Sequence, residues 1–258
     1  MSAEHIEIDG RPATVAGMAE LAFLNYGHST AMQVRGGRAR GLALHLDRLV
    51  EGTLELFGAD LDPVLLRRRI RDALPTPDAD ATVRVYVFGP DPAESPRTMV
   101  VVAPASEMPR APRSLRTVAY QRPEPHLKHI GNFGKIRLAR AAERDGYDSV
   151  LLTSGGFVSE GATTNIGFFT ERDVVWPVGP ALYGITMRLL EAHLPQRGIR
   201  TRRERVPVDG MATYTGAFVV NSRGVAPVSR LDDRLMPDAH PLMPAVYDAH
   251  ASVPWDAL

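Results

Sequence analysis

The stretch HLKHIGNFGK, residues 126–135, gathers two lysines and two histidines into ten positions. The chain has no cysteine, so its candidate nucleophiles are amines, hydroxyls and carboxylates. Two readings fit the stretch. It is the basic start of a surface helix, or one of its lysines is buried and does covalent chemistry. A free lysine has a pKa of about 10.4 and is mostly protonated; burial beside another cation lowers that value and frees the amine.

Three further features lie in the second half of the chain. In LYGITMRLLEAHL (182–194), Thr186 opens an amphipathic run and Gly184 permits a sharp turn just before it. A helix start offers unpaired N–H groups and a positive dipole end, so this is a candidate phosphate site, although Thr186 equally fits an ordinary N-cap. NSRG (221–224) follows the apolar AFVV and offers a second set of anion donors. In FVSEGATTNIGFF (157–169), Glu160 sits among small residues between apolar segments, where a carboxylate needs a cation or donor. A lysine, a buried acid and two anion-binding turns are together what pyridoxal 5'-phosphate requires. The amine bonds the aldehyde, the acid keeps the ring nitrogen protonated, and the turns take the phosphate.

The elements that must position these groups follow from pattern. Strands are expected at 4–8 and 13–16, and a hairpin over 31–44 turning at Gly36-Gly37. A helix is expected from His45 to Leu56, with Leu46, Leu49, Val50 and Leu54 at helical spacing and Gly58 ending it. A second helix, 62–74, has Asp62 as cap and Pro63 at its first position, and its Arg67–Arg69 run reads as a solvated face. Strands at 82–89 and 98–104 lead to a proline-rich linker, PASEMPRAPRS (104–114). Beyond it come strands at 115–120, 149–153, 166–169, 173–176 and 217–221, and helices at 134–145, 186 to about 198, and 241–250. The expected organisation is a mixed α+β and α/β chain of two domains, a smaller one over 1–110 and a larger one over 111–258.

Thirty basic and thirty acidic residues balance, so nothing points to nucleic acid or an anionic membrane surface. No apolar run approaches the roughly 18 residues of a membrane span, and the start, MSAEHIEIDG, lacks a signal pattern; a cytoplasmic protein is expected. The eight histidines show neither HxxxH nor HExxH spacing, so no metal site is expected.

EGATTNIGFF and GITMR, with a lysine about thirty residues before the Glu and a helix ending in GYDSVLL between them, resemble the fold-type IV pyridoxal-phosphate enzymes. These are the class IV aminotransferases, including branched-chain and D-amino-acid aminotransferases, and aminodeoxychorismate lyase. The resemblance runs from about residue 24 to 232 and implies the fold-type IV architecture. It implies that Lys128 forms the Schiff base and shuttles protons, and that Glu160 pairs with the pyridine nitrogen. Arg48 in HLDRL would take the phosphate with Ile185, Thr186, Asn221 and Ser222; Leu182 would pack on the ring, and Thr164 and Asn165 would lie close to it. The same resemblance selects Lys128 over Lys135, which falls within the expected helix beside Arg137 and Arg140 and reads as exposed. It also implies a homodimer.

The sequence departs from the family pattern at three places. Phe133 replaces a tyrosine that bonds the cofactor's phenolic oxygen, VRVYVFGPDP offers no clear arginine–histidine carboxylate trap, and NYGHSTAMQV (25–34) replaces a Phe-Gly-Asp-Gly turn. Tyr26, His28 and Thr30 are expected to face the substrate, and Arg35, Arg84 and Arg97 are candidates for a carboxylate clamp. The leading function is transamination between an amino acid or amine and a keto acid. The alternatives are a 4-amino-4-deoxychorismate lyase-type release of pyruvate, with Thr30 near the position of such lyases' threonine, and a non-catalytic cofactor-binding protein.

Overall fold

The structure is a computed structural model and describes residues 5–89, 95–237 and 239–258. Glu4, at the start of the first expected strand, and Pro90–Pro92, at the end of VRVYVFGPDP, lie outside the described residues. In chain order the elements are β1 (His5–Ile8), β2 (Arg11–Pro12), α1 (Val15–Leu24), β3 (Gly27–Arg35), β4 (Arg38–Arg40), α2 (Leu42–Phe57), α3 (Pro63–Asp72), β5 (Ala81–Phe88), β6 (Arg97–Pro104), β7 (Arg113–Ala119), α4 (Phe133–Arg144), β8 (Ser149–Ser154), β9 (Phe157–Gly161), β10 (Asn165–Phe169), β11 (Asp173–Pro177), α5 (Ile185–His193), β12 (Arg200–Glu204), β13 (Gly216–Asn221), β14 (Gly224–Leu231), β15 (Arg234–Leu235), α6 (Met243–Ser252) and β16 (Trp255–Ala257).

The chain forms two compact units. The first holds Met1–Ser106, Leu127–Gly131 and Pro254–Leu258; the second holds Glu107–His126 and Asn132–Val253. The expected boundary at 110 lies close to Ser106, but two later segments return to the first unit. Residues 127–131 do so through backbone bonds to Gly27 and Ser29, and 254–258 through pairing of β16 with β4.

The first unit is a seven-stranded sheet ordered β16-β4-β3-β5-β6-β1-β2. One face carries Met32, Val34, Val83, Val85, Val87, Val100 and Val102, and packs on Leu42 and Leu49 of α2 and Leu66 and Ile70 of α3. Period-two alternation in the strands and 3.6-residue spacing in the helices produce this match. The turn between β3 and β4 is Gly36-Gly37, both at positive φ, and a Cβ on Gly37 would collide with the Pro77 carbonyl. Leu54, expected on the apolar side of α2, is mostly exposed. Where a strand was expected over 13–16, α1 begins: the Thr14 hydroxyl accepts from the Gly17 N–H at 3.2 Å and caps the helix.

The second unit is a nine-stranded sheet ordered β12-β11-β10-β13-β14-β7-β8-β9, with β15 on β14. α5 and α6 cover Phe169, Trp176, Phe218 and Val220 on one side, and α4 packs on Val150 and Leu152. β9, β12, β14 and β16 were not expected. β12 reads RTRRE, whose polar residues carry no alternation, and it is held as an edge strand by parallel pairing with β11.

Two buried polar pairs join β3 to α2. His28 Nε2 lies 3.0 Å from Thr53 Oγ1, and His45 Nδ1 lies 2.6 Å from Thr30 Oγ1. Burial pushes the His28 imidazole down to about 4; burial, then Arg48, then Lys128 push His45 down to about 3. The His28 ring lies flat against Gly52 of α2, where a Cβ would sit 2.8 Å from Nδ1.

Gly52→Ala is therefore expected to destabilise by about 1–3 kcal/mol despite alanine's better helix propensity, because Thr53 pins the ring that must move. A lower melting temperature checks this, and an unchanged one would show that the ring swings aside. Both imidazoles are neutral in the folded chain, while the unfolded chain protonates them near pH 6.5. Their contribution is thus fully present above pH 6.5. It declines as pH falls towards about 4 for His28 and about 3 for His45, by at most about 1.4 kcal/mol per pH unit for each. Urea midpoints that fall between pH 7 and pH 5, with a shallower fall in His28→Gln, are the expected result; a flat profile would contradict it.

Candidate active site

In the first unit the candidate residues Lys128, Arg48, His28 and Thr30 lie on β3, on α2 and on the segment bonded to β3. Lys128 lies at the edge of β3. Its carbonyl accepts from the Ser29 N–H at 2.9 Å and the Ser29 hydroxyl at 3.3 Å, and the Ile130 N–H donates to the Gly27 carbonyl at 3.0 Å. Leu127 is buried beside it, and His28 and His129 form an isolated antiparallel bridge. These bonds seat the Lys128 backbone on a strand, a rigid platform for its side chain. Arg48 follows His45 by three residues on α2, so the two share a helix face.

The pleat of β3 separates the residues expected to face a substrate. His28 and Thr30 share the face turned towards α2 and are 1% and 0% exposed, each bonded to a helix side chain. Their geometry is that of strand–helix packing, unlike the expectation of an open, substrate-facing pair. Tyr26 is half-exposed, donates its hydroxyl to the Leu56 carbonyl at 3.2 Å and meets Phe57 edge-on. Ser29, Ala31 and Gln33 alternate onto the opposite face, in register with Tyr86, Arg84 and Thr82. Of the three candidate clamp arginines, Arg97 is held by Asp9 and Glu20, and Arg35 donates to the Val34 and Ser106 carbonyls. Arg84 lies on the same sheet face as Ser29, the residue that holds Lys128.

In the second unit the centre is Glu160, 6% exposed on β9. Its Oε1 accepts from Arg122 Nε at 2.9 Å, and its Oε2 from the Leu182 N–H at 3.2 Å. Arg122 is itself 2% exposed, so the two form a desolvated ion pair, with the Leu182 N–H as a second donor to the carboxylate. Asn165 fixes the loop that follows: its Nδ2 donates to the Leu182 carbonyl at 2.7 Å and its Oδ1 accepts from the Gly184 N–H at 3.0 Å. A Cβ on Gly184 would sit 2.2 Å from that Oδ1, so only glycine fits. Gly184 caps α5 without a side-chain bond, which leaves the first-turn N–H groups, including those of Ile185 and Thr186, without a side-chain cap. The Thr186 hydroxyl donates to the Asn221 carbonyl at 2.9 Å, so its proton is already engaged and the backbone N–H is its remaining donor. Asn221 Oδ1 accepts from the Arg223 N–H at 2.8 Å, which shapes the turn that carries half-buried Ser222. Thr164 Oγ1 lies against Gly161, and the Leu182 side chain is half-buried.

Lys135 is not the exposed residue expected. It lies half-buried on the first turn of α4, and its pKa is lowered by burial first and by Arg122 next, with Glu160 opposing. Phe133 is exposed at the start of α4. Tyr120 presses its hydroxyl against Gly134, where a Cβ would collide with it at 2.2 Å. Arg122 and His45 were missed. Arg122 sits in QRPEP, which has no motif, and only the three-residue spacing from Arg48 marked His45.

Residues 27–231 match the family model described as amino-transferase class IV. A probable branched-chain-amino-acid aminotransferase of Rickettsia felis is 29% identical over 89 residues, 34% of this chain and 31% of that protein. The chain thus spans about a third of that curated relative. A hypothetical aminotransferase from Mycobacterium tuberculosis in its PLP-bound form superposes with a TM-score of 0.81 at 21% identity, covering 96% of this chain and 98% of that one. A branched-chain aminotransferase of the archaeon Thermoproteus uzoniensis with norvaline gives 0.84 at 17%, covering 97% and 94%. At these identities the likeness establishes the fold, which is that of the fold-type IV transaminases, and the family match extends over most of the sequence. The chain belongs to the class IV aminotransferase family.

Proposed function

We propose that this chain is a pyridoxal-phosphate-dependent aminotransferase that moves an amino group between an amino acid or amine and a keto acid. The observation that carries the reading is the doubly held Glu160, joined through Leu182 and Asn165 to the uncapped start of α5. A fixed negative charge and a phosphate-ready helix start within one unit fit the two ends of that cofactor. When bound, the cofactor supplies an aldehyde carbon for amines and a ring that draws electrons from the substrate carbon.

The chain's residues do the rest. Glu160, its charge balanced by Arg122, offers its carboxylate to a ring nitrogen. The N–H groups of Ile185 and Thr186, the Asn221–Ser222 turn and Arg48 take the phosphate, while Thr164, Asn165 and Leu182 bound the ring. Lys128 would offer its Nζ amine to the cofactor's aldehyde group, and that Nζ would be the group that takes up and returns the substrate's α-proton. Arg84 is the candidate partner for a substrate carboxylate. Nothing in the family match or the relatives favours the lyase or the non-catalytic reading.

We read the protein as a cytoplasmic homodimer, in keeping with the absence of cysteine. Among the described residues no helix is long and apolar enough to cross a membrane. α1 presents Val15 and Phe23, 87% and 90% exposed, as an apolar stripe that a second copy would cover. Light scattering is expected to return twice the 28.2 kDa chain mass, and a monomer at working concentration would refute the dimer.

Purified wild type is expected to show a visible absorption band that borohydride fixes covalently on Lys128 and that amino donors bleach. Lys128→Ala is expected to lose both the fixing and, on the order of 10²–10⁴-fold or more, the turnover. A peptide map that places the label on Lys135, or a band that persists with every donor, would overturn the assignment.

A further inference from the structure

His45 is 96% removed from solvent, and its two ring nitrogens are not equivalent. Nδ1 lies 2.6 Å from Thr30 Oγ1, and among the described residues that hydroxyl shows no second partner. If Nδ1–H were the donor, the Thr30 hydroxyl proton would be buried with no acceptor, which forfeits its full solvation. Thr30 therefore donates to Nδ1, and the hydrogen of the neutral ring sits on Nε2. His28 shows the contrasting case. The Thr53 hydroxyl already donates to the Leu49 carbonyl at 2.7 Å, so it accepts from His28 Nε2.

The Nε2–H of His45 shows no acceptor among the described residues. Two cations stand nearby: Arg48, on the same helix face, and Lys128, whose carbonyl is bonded to Ser29, the strand neighbour of Thr30. No carboxylate is among the charged groups that act on His45. A neutral N–H close enough to two cations to feel their charge adds a directed donor without adding a third positive charge, an arrangement suited to an anion with several oxygens.

We propose that His45 Nε2–H donates to a phosphate-monoester oxygen, the same group assigned to Arg48, and that Thr30 fixes the tautomer that makes this possible. The proposal rests on the cofactor reading above and adds to it a phosphate contact and the residue that orients it.

The test titrates the apoprotein with pyridoxal phosphate and, separately, with pyridoxal, which lacks the phosphate, and records the ³¹P resonance of the bound phosphorylated form. His45→Leu is expected to weaken pyridoxal phosphate binding about 10–100-fold, the loss of one hydrogen bond to a charged group, and to shift the ³¹P resonance. Pyridoxal binding should stay within about twofold on the same argument, because it lacks the affected oxygen. Thr30→Val is expected to act in the same direction, and Thr30→Ser to restore wild-type binding. Equal losses for the two ligands, or none, would overturn the proposal. Should circular dichroism show His45→Leu unfolded, the Thr30→Val and Thr30→Ser pair decides, and equal affinities in those two overturn it. Wild type that binds neither ligand would refute the cofactor reading and this inference together; wild type that binds while the variants match it refutes the inference alone.

Discussion

A carboxylate withdrawn from water must be met by donors, and Glu160 is met from two directions by groups that are themselves fixed. Arg122 holds one oxygen and the Leu182 N–H the other. That second bond ties the acid to the 182–184 loop, Asn165 clamps the loop to β10, and Gly184 then releases α5 at its uncapped start. The acid, the 182–184 loop and the start of α5 are thus one connected hydrogen-bonded path. Displacing any member leaves a buried polar group without its partner.

The first unit solves a different problem, that of holding the segment that carries Lys128 without giving it a helix of its own. The segment 127–131 borrows β3 instead, by backbone bonds to Gly27 and Ser29. The other face of the same strand carries His28 and Thr30 into α2, where each imidazole is kept neutral by burial and bonds one hydroxyl through one of its ring nitrogens. One strand therefore positions Lys128 at its edge and Arg48 through the helix packed on its face.

Much of this architecture was legible in the chain. The Gly36-Gly37 turn, the Asp62-Pro63 helix start and the alternating valines of β5 and β6 act over a few residues, so their signals are local. The small-residue motif around Glu160 and the Gly184–Thr186 helix start were legible for the same reason. Elements whose signal lies in a partner were not. β12 is a row of charged residues that becomes a strand because β11 lies beside it, and α1 lacks a polar face that would have announced a helix.

By itself, then, the sequence determined the local grammar: which segments extend, which coil, where glycine permits a turn, and which residue types could hold a phosphorylated cofactor. Tertiary structure decided which of those residues meet. It drew 127–131 back to β3, turned His28 and Thr30 into packing, engaged Arg97 with Asp9 and Glu20, and half-buried Lys135 within reach of the Arg122 and Glu160 charges. Such outcomes depend on pairings between residues many positions apart. Burial, which sets the charge and tautomer of an ionisable group, exists only after those pairings have formed.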